Sequence, residues 1–529
     1  MKSKINLIIF CIYLISTSIY SQFNYSVSID TFRIPNWPNI HSFTYGIVNE
    51  SIYMFGGRLD GIHDKNSGFE NKFSNDQIYR WNTKTQTITQ YSLDSLSPSM
   101  IEPLSAANAA FTQVNNILMI IGGYGQSKTG AYKTYPSLIT IDLAKLDQAI
   151  ASNLNIGSAF KQIIDDTFAV AGGQLEVLDQ LYYLTGGHRF EGIYKDSSLV
   201  FNQRYTSACR IFNIDFSGDT LSIDFKKEIV DEFNFHRRDF NLSPFIMQDK
   251  NEKLMCFAGV FLVNENRPFM NLAAVNYNGY EDIPDFNQRF ANYTCPHVGF
   301  YSDVKNEMHK VFFGGMAEYY RDSLDQIVRD PFVPFVKSIS SISRMSDGTF
   351  LETLHKEKMP AYIGTNSEIY LNPQLPYFRN KIINLDSIQK DSTWLGYIFG
   401  GIYNPLHEAN PFQKNKASLT IANPYIINVQ LIKNKSTQIQ EPNSSAQLNK
   451  FEWILSPNPA TNKISIISPN INIESLTIWI TNASGKLVHY EKLDHHSTIN
   501  IASLPAGMYQ IYALLNGTAF NSKVFYKID

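Results

Sequence analysis

Cysteine is scarce in this sequence and follows no pattern. Four are present, at 11, 209, 256 and 295, with no Cys-x-x-Cys and no Cys/His spacing of a zinc knuckle. Neither a disulfide-stapled scaffold nor a metal knuckle is therefore indicated. An excess of one charge is also missing: 45 Lys plus Arg face 48 Asp plus Glu. That balance speaks against a nucleic-acid face or a polyanionic tail, and the pair Arg237-Arg238 reads as solvated loop charge. There is no P-loop, no dinucleotide fingerprint, no Gly-x-Ser-x-Gly and no His-Glu-x-x-His. Asp60-Gly61 and Asp347-Gly348 lack the alternating acidic ligands of a calcium loop and read as turns. The pairs Asp165-Asp166 and Glu281-Asp282 are sequence neighbours, so on a strand they point to opposite faces and make poor acid/base dyads. No cofactor and no metal is indicated.

Long apolar runs are missing outside the N-terminus. There, Lys2 and Lys4 precede an apolar stretch from Ile5 to Ile15, and Ser16-Thr-Ser-Ile-Tyr-Ser21 offers small residues for cleavage. The stretch is short for a bilayer span, so residues 1–21 read as an export signal, and the mature chain carries no transmembrane segment. Removing that leader leaves Cys209, Cys256 and Cys295, an odd number best read as buried thiols.

What the sequence has in plenty is aromatic residues, 36 Phe and 30 Tyr with only 18% charged residues, a composition that favours an all-β globular protein. Six short apolar runs end in a pair of small residues: Ile52–Gly57, Leu118–Gly123, Tyr182–Gly187, Leu254–Gly259, Val311–Gly315 and Tyr397–Gly401. Each reads as a buried strand stopped where the backbone must turn or approach closely, which glycine permits. The repeated positions are Gly56-Gly57, Gly122-Gly123, Gly186-Gly187, Ala258-Gly259, Gly314-Gly315 and Gly400-Gly401, unevenly spaced, as in repeats that share a core and differ in their loops. In the first unit His41–Val48, Ile52–Phe55, Gln77–Asn82 and Thr87–Ser92 alternate as four strands of an antiparallel meander.

The glycine pair, the hairpin before it (Val114–Ile117, Leu178–Leu181) and the aromatic third strand resemble the kelch repeat. The resemblance covers about 38–433 and implies a β-propeller of about six blades within residues 22–433. Unit six carries an insertion near Asn372–Asp391, and Phe32-Arg33-Ile34 is a candidate to complete the last blade.

Residues 434–450 are polar and small, a linker. From 451 to 529 the pattern becomes a small β-sandwich of at least five strands. Ser456-Pro-Asn-Pro-Ala-Thr-Asn462, the turn Asn482–Lys486 and Leu504-Pro-Ala-Gly-Met-Tyr509 resemble the type A C-terminal sorting domain of type IX secretion substrates. That resemblance implies passage through the periplasm, a partnership of residues 451–529 with the type IX machinery, and release or attachment at the outer-membrane surface.

In a kelch-type blade the segments after the glycine pairs emerge on one face, and here they are long: 58–75, 124–134, 188–204, 316–332 and 402–416. Loops of that length are commonly functional. The candidate ligand-binding residues on them are Arg58, His63, Tyr124, His188, Arg189, Glu318, Tyr319, Tyr320, Tyr403 and His407, with Asp60, Phe190 and Arg321 nearby. Aromatic faces beside hydrogen-bonding groups suit an extracellular glycan or a protein segment. The expectation is a non-catalytic recognition module. Alternatives are a carbohydrate-active propeller enzyme, oxidase- or mutarotase-like, and a structural surface component. The histidines form no i, i+2 or i, i+4 pair that would favour a copper site.

Overall fold

The computed structural model describes residues 23–434 and 453–529, apart from 64–67, 195–200, 217–219, 406–418, 468–475, 483–486, 494–497 and 516–518. The expected export signal and nearly all of the expected linker lie outside the described residues. The chain divides into two compact units, 1–435 and 436–529.

Among the described residues the first unit contains six antiparallel blades built on four strands each, the fifth extended by a further hairpin. Blade one runs Thr44–Val48, Ser51–Phe55, Gln77–Asn82 and Thr87–Ser92. The innermost strands of the next five are Ala110–Val114, Gln174–Leu178, Asn241–Ile246, His297–Ser302 and Ser367–Leu371. The second strand of each blade ends in a largely buried apolar run before its small-residue pair, because neighbouring blades cover it on both faces. Six separate apolar clusters fill the six interfaces between blades. The interface of blades four and five holds Phe245, Phe257 and Phe312, that of blades six and one Phe43, Trp81 and Phe399. Each such ring contributes about 1.5–3 kcal/mol by leaving water.

The glycine pairs fasten one blade to the next. The second residue of each pair donates its amide to a carbonyl in the segment that opens the following blade: Gly57 to Ala106, Gly123 to Val170, Gly187 to Arg237, Gly259 to Asn292, Gly315 to Ile363 and Gly401 to Ile40, at 2.8–3.2 Å. The last of these returns to blade one. At Gly122, φ is +70° and a Cβ would stand 1.9 Å from the Val170 carbonyl oxygen, so no side chain fits.

Ring closure uses the N-terminus. Tyr25–Phe32 forms the outermost strand of blade six, antiparallel to Ile426–Lys433 over eight residue pairs, with Phe32 opposite Ile426. The strand therefore ends where Phe32-Arg33-Ile34 begins, and Ile34 packs into the interface with blade one.

The insertion in unit six is a hairpin, Tyr377–Arg379 and Ile382–Asn384, that leaves its own blade. It adds to the channel side of blade five, pairing Gly299–Tyr301 with Ile382–Asn384 in parallel. Its tip is tied to blade four, Arg379 lying 3.2 Å from Glu252, and to blade three, Lys381 lying 3.3 Å from Glu176.

The second unit is a two-sheet sandwich. A three-stranded sheet (Ile454–Ser456, Lys463–Ile467, Thr498–Asn500) and a four-stranded one (Leu476–Asn482, Leu487–Leu493, Gly507–Leu515, Ala519–Lys527) share a core including Trp453, Ile464, Ile478, Ile499 and Phe525. The opening Ser-Pro-Asn-Pro motif is pinned to the last strand: Asn458 Nδ2 donates to the Val524 carbonyl and Asn458 Oδ1 accepts from the Tyr526 amide, both at 3.0 Å. Tyr509 donates its hydroxyl to the Pro505 carbonyl at 2.8 Å, which fixes the turn into the final hairpin.

Candidate functional site

One position recurs around the channel's upper rim. In each blade the residue before the innermost strand meets the residue just after the glycine pair: His41 with Arg58, Ala107 with Tyr124, Ala171 with His188, Arg238 with Val260, Asn292 with Met316 and Thr365 with Ile402. Most of these residues line a narrow mouth, joined there by Ile62, His63, Phe69, Phe190, Tyr194 and Tyr293. Among the described residues the post-glycine segments of blades two to six pair as short antiparallel strands. Those of blades two and three merge into one four-stranded sheet comprising Tyr124–Gln126, Tyr132–Thr134, His188–Gly192 and Phe201–Tyr205.

The wall of the mouth is aromatic. His63 stacks on Phe69 at 4.8 Å, Tyr124 meets the edge of Phe69 at 5.3 Å, and Tyr194 lies 4.9 Å from His63 and 5.1 Å from Phe190. Tyr124 donates its hydroxyl to the Gly192 carbonyl at 2.6 Å. These contacts hold the rings in place against one another.

Arg238 supplies the fixed cation. Its Nη1 bonds Asp239 at 2.8 Å, and its remaining nitrogens reach the hydroxyls of Tyr194 at 3.3 Å and Tyr205 at 3.4 Å. Burial pulls the guanidinium down, but Tyr194, Asp239 and Tyr205 outweigh it and hold Arg238 well above its ordinary value. His188 is buried beside it. Burial, then the Arg238 charge, push the imidazole well below its usual range, so it is neutral and bonded through Nδ1 to Gln203 at 2.7 Å. Arg237 and Arg238 are thus not solvated loop charges: Arg237 is fully buried, its guanidinium bonded to the carbonyls of Asn234 and Ala258 and stacked 4.3 Å over Phe269. Both arginines are held inside because carbonyls, a carboxylate and hydroxyls satisfy them.

Of the residues singled out in the sequence, His63, Tyr124 and His188 come together at the mouth. Arg58 lies behind the wall, bidentate on Asp60 at 2.6 and 2.8 Å, with its guanidinium 5.0 Å from the Phe69 ring. Arg189 turns to Glu191 and Asp166 on the other face of its strand. Glu318 is buried between Arg329 at 2.5 Å and Arg267 at 3.1 Å, and joins the hairpins of blades four and five. Tyr319 and Tyr320 lie on the hairpin of blade five, and Tyr403 packs at 5.8 Å from Tyr425. His407 lies outside the described residues.

Sequence reasoning missed Arg238, Asp239, Tyr194 and Tyr293. Aligning the residues that precede each innermost strand would have found the first, since Arg238 stands where blades two and three carry Ala107 and Ala171. The three cysteines are buried and unpaired, and burial raises their thiols to about 12, 11 and 12 for Cys209, Cys256 and Cys295. They stay protonated and inert. Among the described residues no three His, Cys, Asp or Glu side chains gather as a metal site.

Fold and rim together define a closed six-bladed β-propeller with an elaborated mouth, followed by a small β-sandwich. Residues 455–527 match the secretion system C-terminal sorting domain. This tail marks the chain for type IX export, to the cell surface or beyond it. No helix among the described residues is long and apolar enough to cross a membrane. No curated protein matches the sequence. Among solved structures, that of YjhT aligns at 11% identity over 72% of this chain and 97% of its own, with a TM-score of 0.37. A fungal alcohol oxidase of the AA5 family in complex with copper aligns at 9% identity over 96% and 99%, with a TM-score of 0.34.

Proposed function

We propose that the exported propeller, built of kelch-type repeats, is a non-catalytic recognition module that binds an extracellular glycan at the mouth of its channel. The observation that carries this reading is the pre-set ring of Phe69, Tyr124, Phe190 and Tyr194 beside a half-buried, charged Arg238 and a neutral His188. Sugar rings bury their apolar faces on aromatic side chains while their hydroxyls need fixed donors and acceptors. The sorting domain delivers this site to where extracellular glycans are met.

Full-length protein on a glycan array tests it. Saturable binding to one glycan class is expected, with the bound glycan recovered unaltered by mass spectrometry. Arg238→Met should weaken binding at least tenfold, the loss of about 1.4 kcal/mol or more that removing a charged hydrogen-bond donor causes. Altered sugar would assign catalysis instead. Silence across the array would end the glycan reading.

A further inference from the structure

Below the mouth, and joined to it at Ser42, Asn108 and Asn366, the channel holds a chamber of about 440 Å3. Lys310 lines it although Lys310 belongs to the second strand of blade five, not to the channel-facing one. It reaches the chamber because the residue opposite it in the ladder is Gly299. Its Nζ lies 3.5 Å from where a Gly299 Cβ would stand, so the missing side chain is the window through which the amine passes.

The amine has little to hold a positive charge. Lys310 is 4% exposed. Its polar contact is the hydroxyl of Ser243, from the innermost strand of blade four. Among the described residues no carboxylate forms an ion pair with it: Glu176, which lines the same chamber, is paired with Lys381. The other charged or titratable groups lining the space are Glu368, on blade six; Asp239, bonded to Arg238 at 2.8 Å; Tyr45, which donates its hydroxyl to the Ile369 carbonyl at 2.9 Å; the Cys295 thiol; and His297, whose ring meets the Cys295 carbonyl at 3.1 Å. A buried ammonium without a counter-ion gives up its proton. Here burial outweighs Glu176, which favours the charged form, and with a smaller push from Lys381 brings Lys310 down to about 7.

We propose that this chamber takes a small carbonyl compound, an aldehyde or the open-chain form of an aldose, and holds it reversibly as an imine on Lys310. The Nζ lone pair adds to the carbonyl carbon, and the π pair moves to oxygen, which takes a proton. The carbinolamine then loses that hydroxyl as water, C=N forms, and the nitrogen releases its remaining proton. Ser243 Oγ, already bonded to Nζ, stands where it can carry a proton from nitrogen to the departing oxygen. Water reverses the step, so no oxidant or reductant is consumed. Desolvation in a buried site is what makes a lysine amine nucleophilic at neutral pH.

The inference goes beyond glycan recognition at the mouth, and its test needs no glycan. Full-length protein is treated with glycolaldehyde and cyanoborohydride at pH 7, which reduces any imine to a stable adduct, and each lysine is followed by peptide mass spectrometry. Lys310 should label roughly tenfold faster than the exposed Lys84 and Lys145, as expected of an amine that burial has brought down to about 7. The same advantage should vanish when the chain is unfolded in urea. Equal rates in the folded protein, or an advantage that survives urea, would overturn the proposal.

Discussion

At Gly122 a single hydrogen decides whether two blades can meet. Its φ of +70° and the carbonyl of Val170 leave no room for a methyl group, whereas blade four carries Ala258 at φ +48° in the equivalent place. Gly122→Ala should lower propeller stability by about 2–4 kcal/mol, the left-handed strain plus the clash. Ala258→Gly should change it by less than about 1 kcal/mol, because relieved strain and lost chain entropy offset each other. Chemical denaturation of both variants separates the two outcomes.

Two further residues set a pH dependence. Burial, opposed by Lys381 and reinforced by Glu176, raises Glu368 from 4.5 to about 8. Burial, opposed by the amides of Arg289 and Phe290, raises Glu352 to about 7. Between the unfolded and folded values the native state binds more protons, so stability is greatest below pH 4.5 for these groups and falls as pH rises through 7 to 8. Glu368→Gln should flatten the fall of Tm between pH 5 and pH 8, in the range set by that raised value. Glu352 keeps part of the slope. An unchanged Tm profile would mean that Glu368 ionises freely in the folded chain.

Among the elements, the inserted hairpin 377–384 has the most distinctive task. A propeller's innermost strands normally face only the channel, yet Gly299–Tyr301 gain a parallel partner there. The hairpin's tip carries Arg379, Asn380 and Lys381 to acceptors on blades three and four, so it spans the lower channel as a brace. Surface pairs of this kind are individually weak, and the ladder bonds carry the rest. Replacing residues 377–384 with a Gly/Ser linker should speed amide exchange across His297–Ser302 while leaving the innermost strand of blade one, Thr44–Val48, unchanged. Protection that stays equal in both strands would show that the hairpin does not brace the channel.

For the whole molecule, the ring and the tail do separate jobs. The propeller's core is closed by its own N-terminal strand, which brings residue 25 against residue 433. The sorting domain has its own core, from Trp453 to Phe525. A chain ending at residue 435 should therefore show the same propeller melting transition as the full protein but accumulate in the periplasm instead of reaching the cell surface. Fractionation and calorimetry measure the two effects. Loss of the transition would mean that the propeller needs the second unit to fold.

Periodicity by itself determined the blades: strands 77–82 and 87–92 were legible to the residue, because alternation and turn chemistry are local properties. The same holds for the sandwich, whose Ser-Pro-Asn-Pro and Leu-Pro-Ala-Gly-Met-Tyr stretches fix turns within a few residues of themselves or against the last strand. Only the tertiary structure decided which polar residues face the channel. Arg58 and Glu318 sit on the expected segments but are buried by partners close in sequence, Asp60 and Arg329, whereas Arg238 enters the mouth beside Tyr194 from a different blade. Lys310 depended on a glycine eleven residues away standing opposite it in the ladder. Strand pairing within a blade follows from neighbouring residues, but a site at the axis of a propeller draws on all six blades at once, and no local pattern records which side chains will meet there.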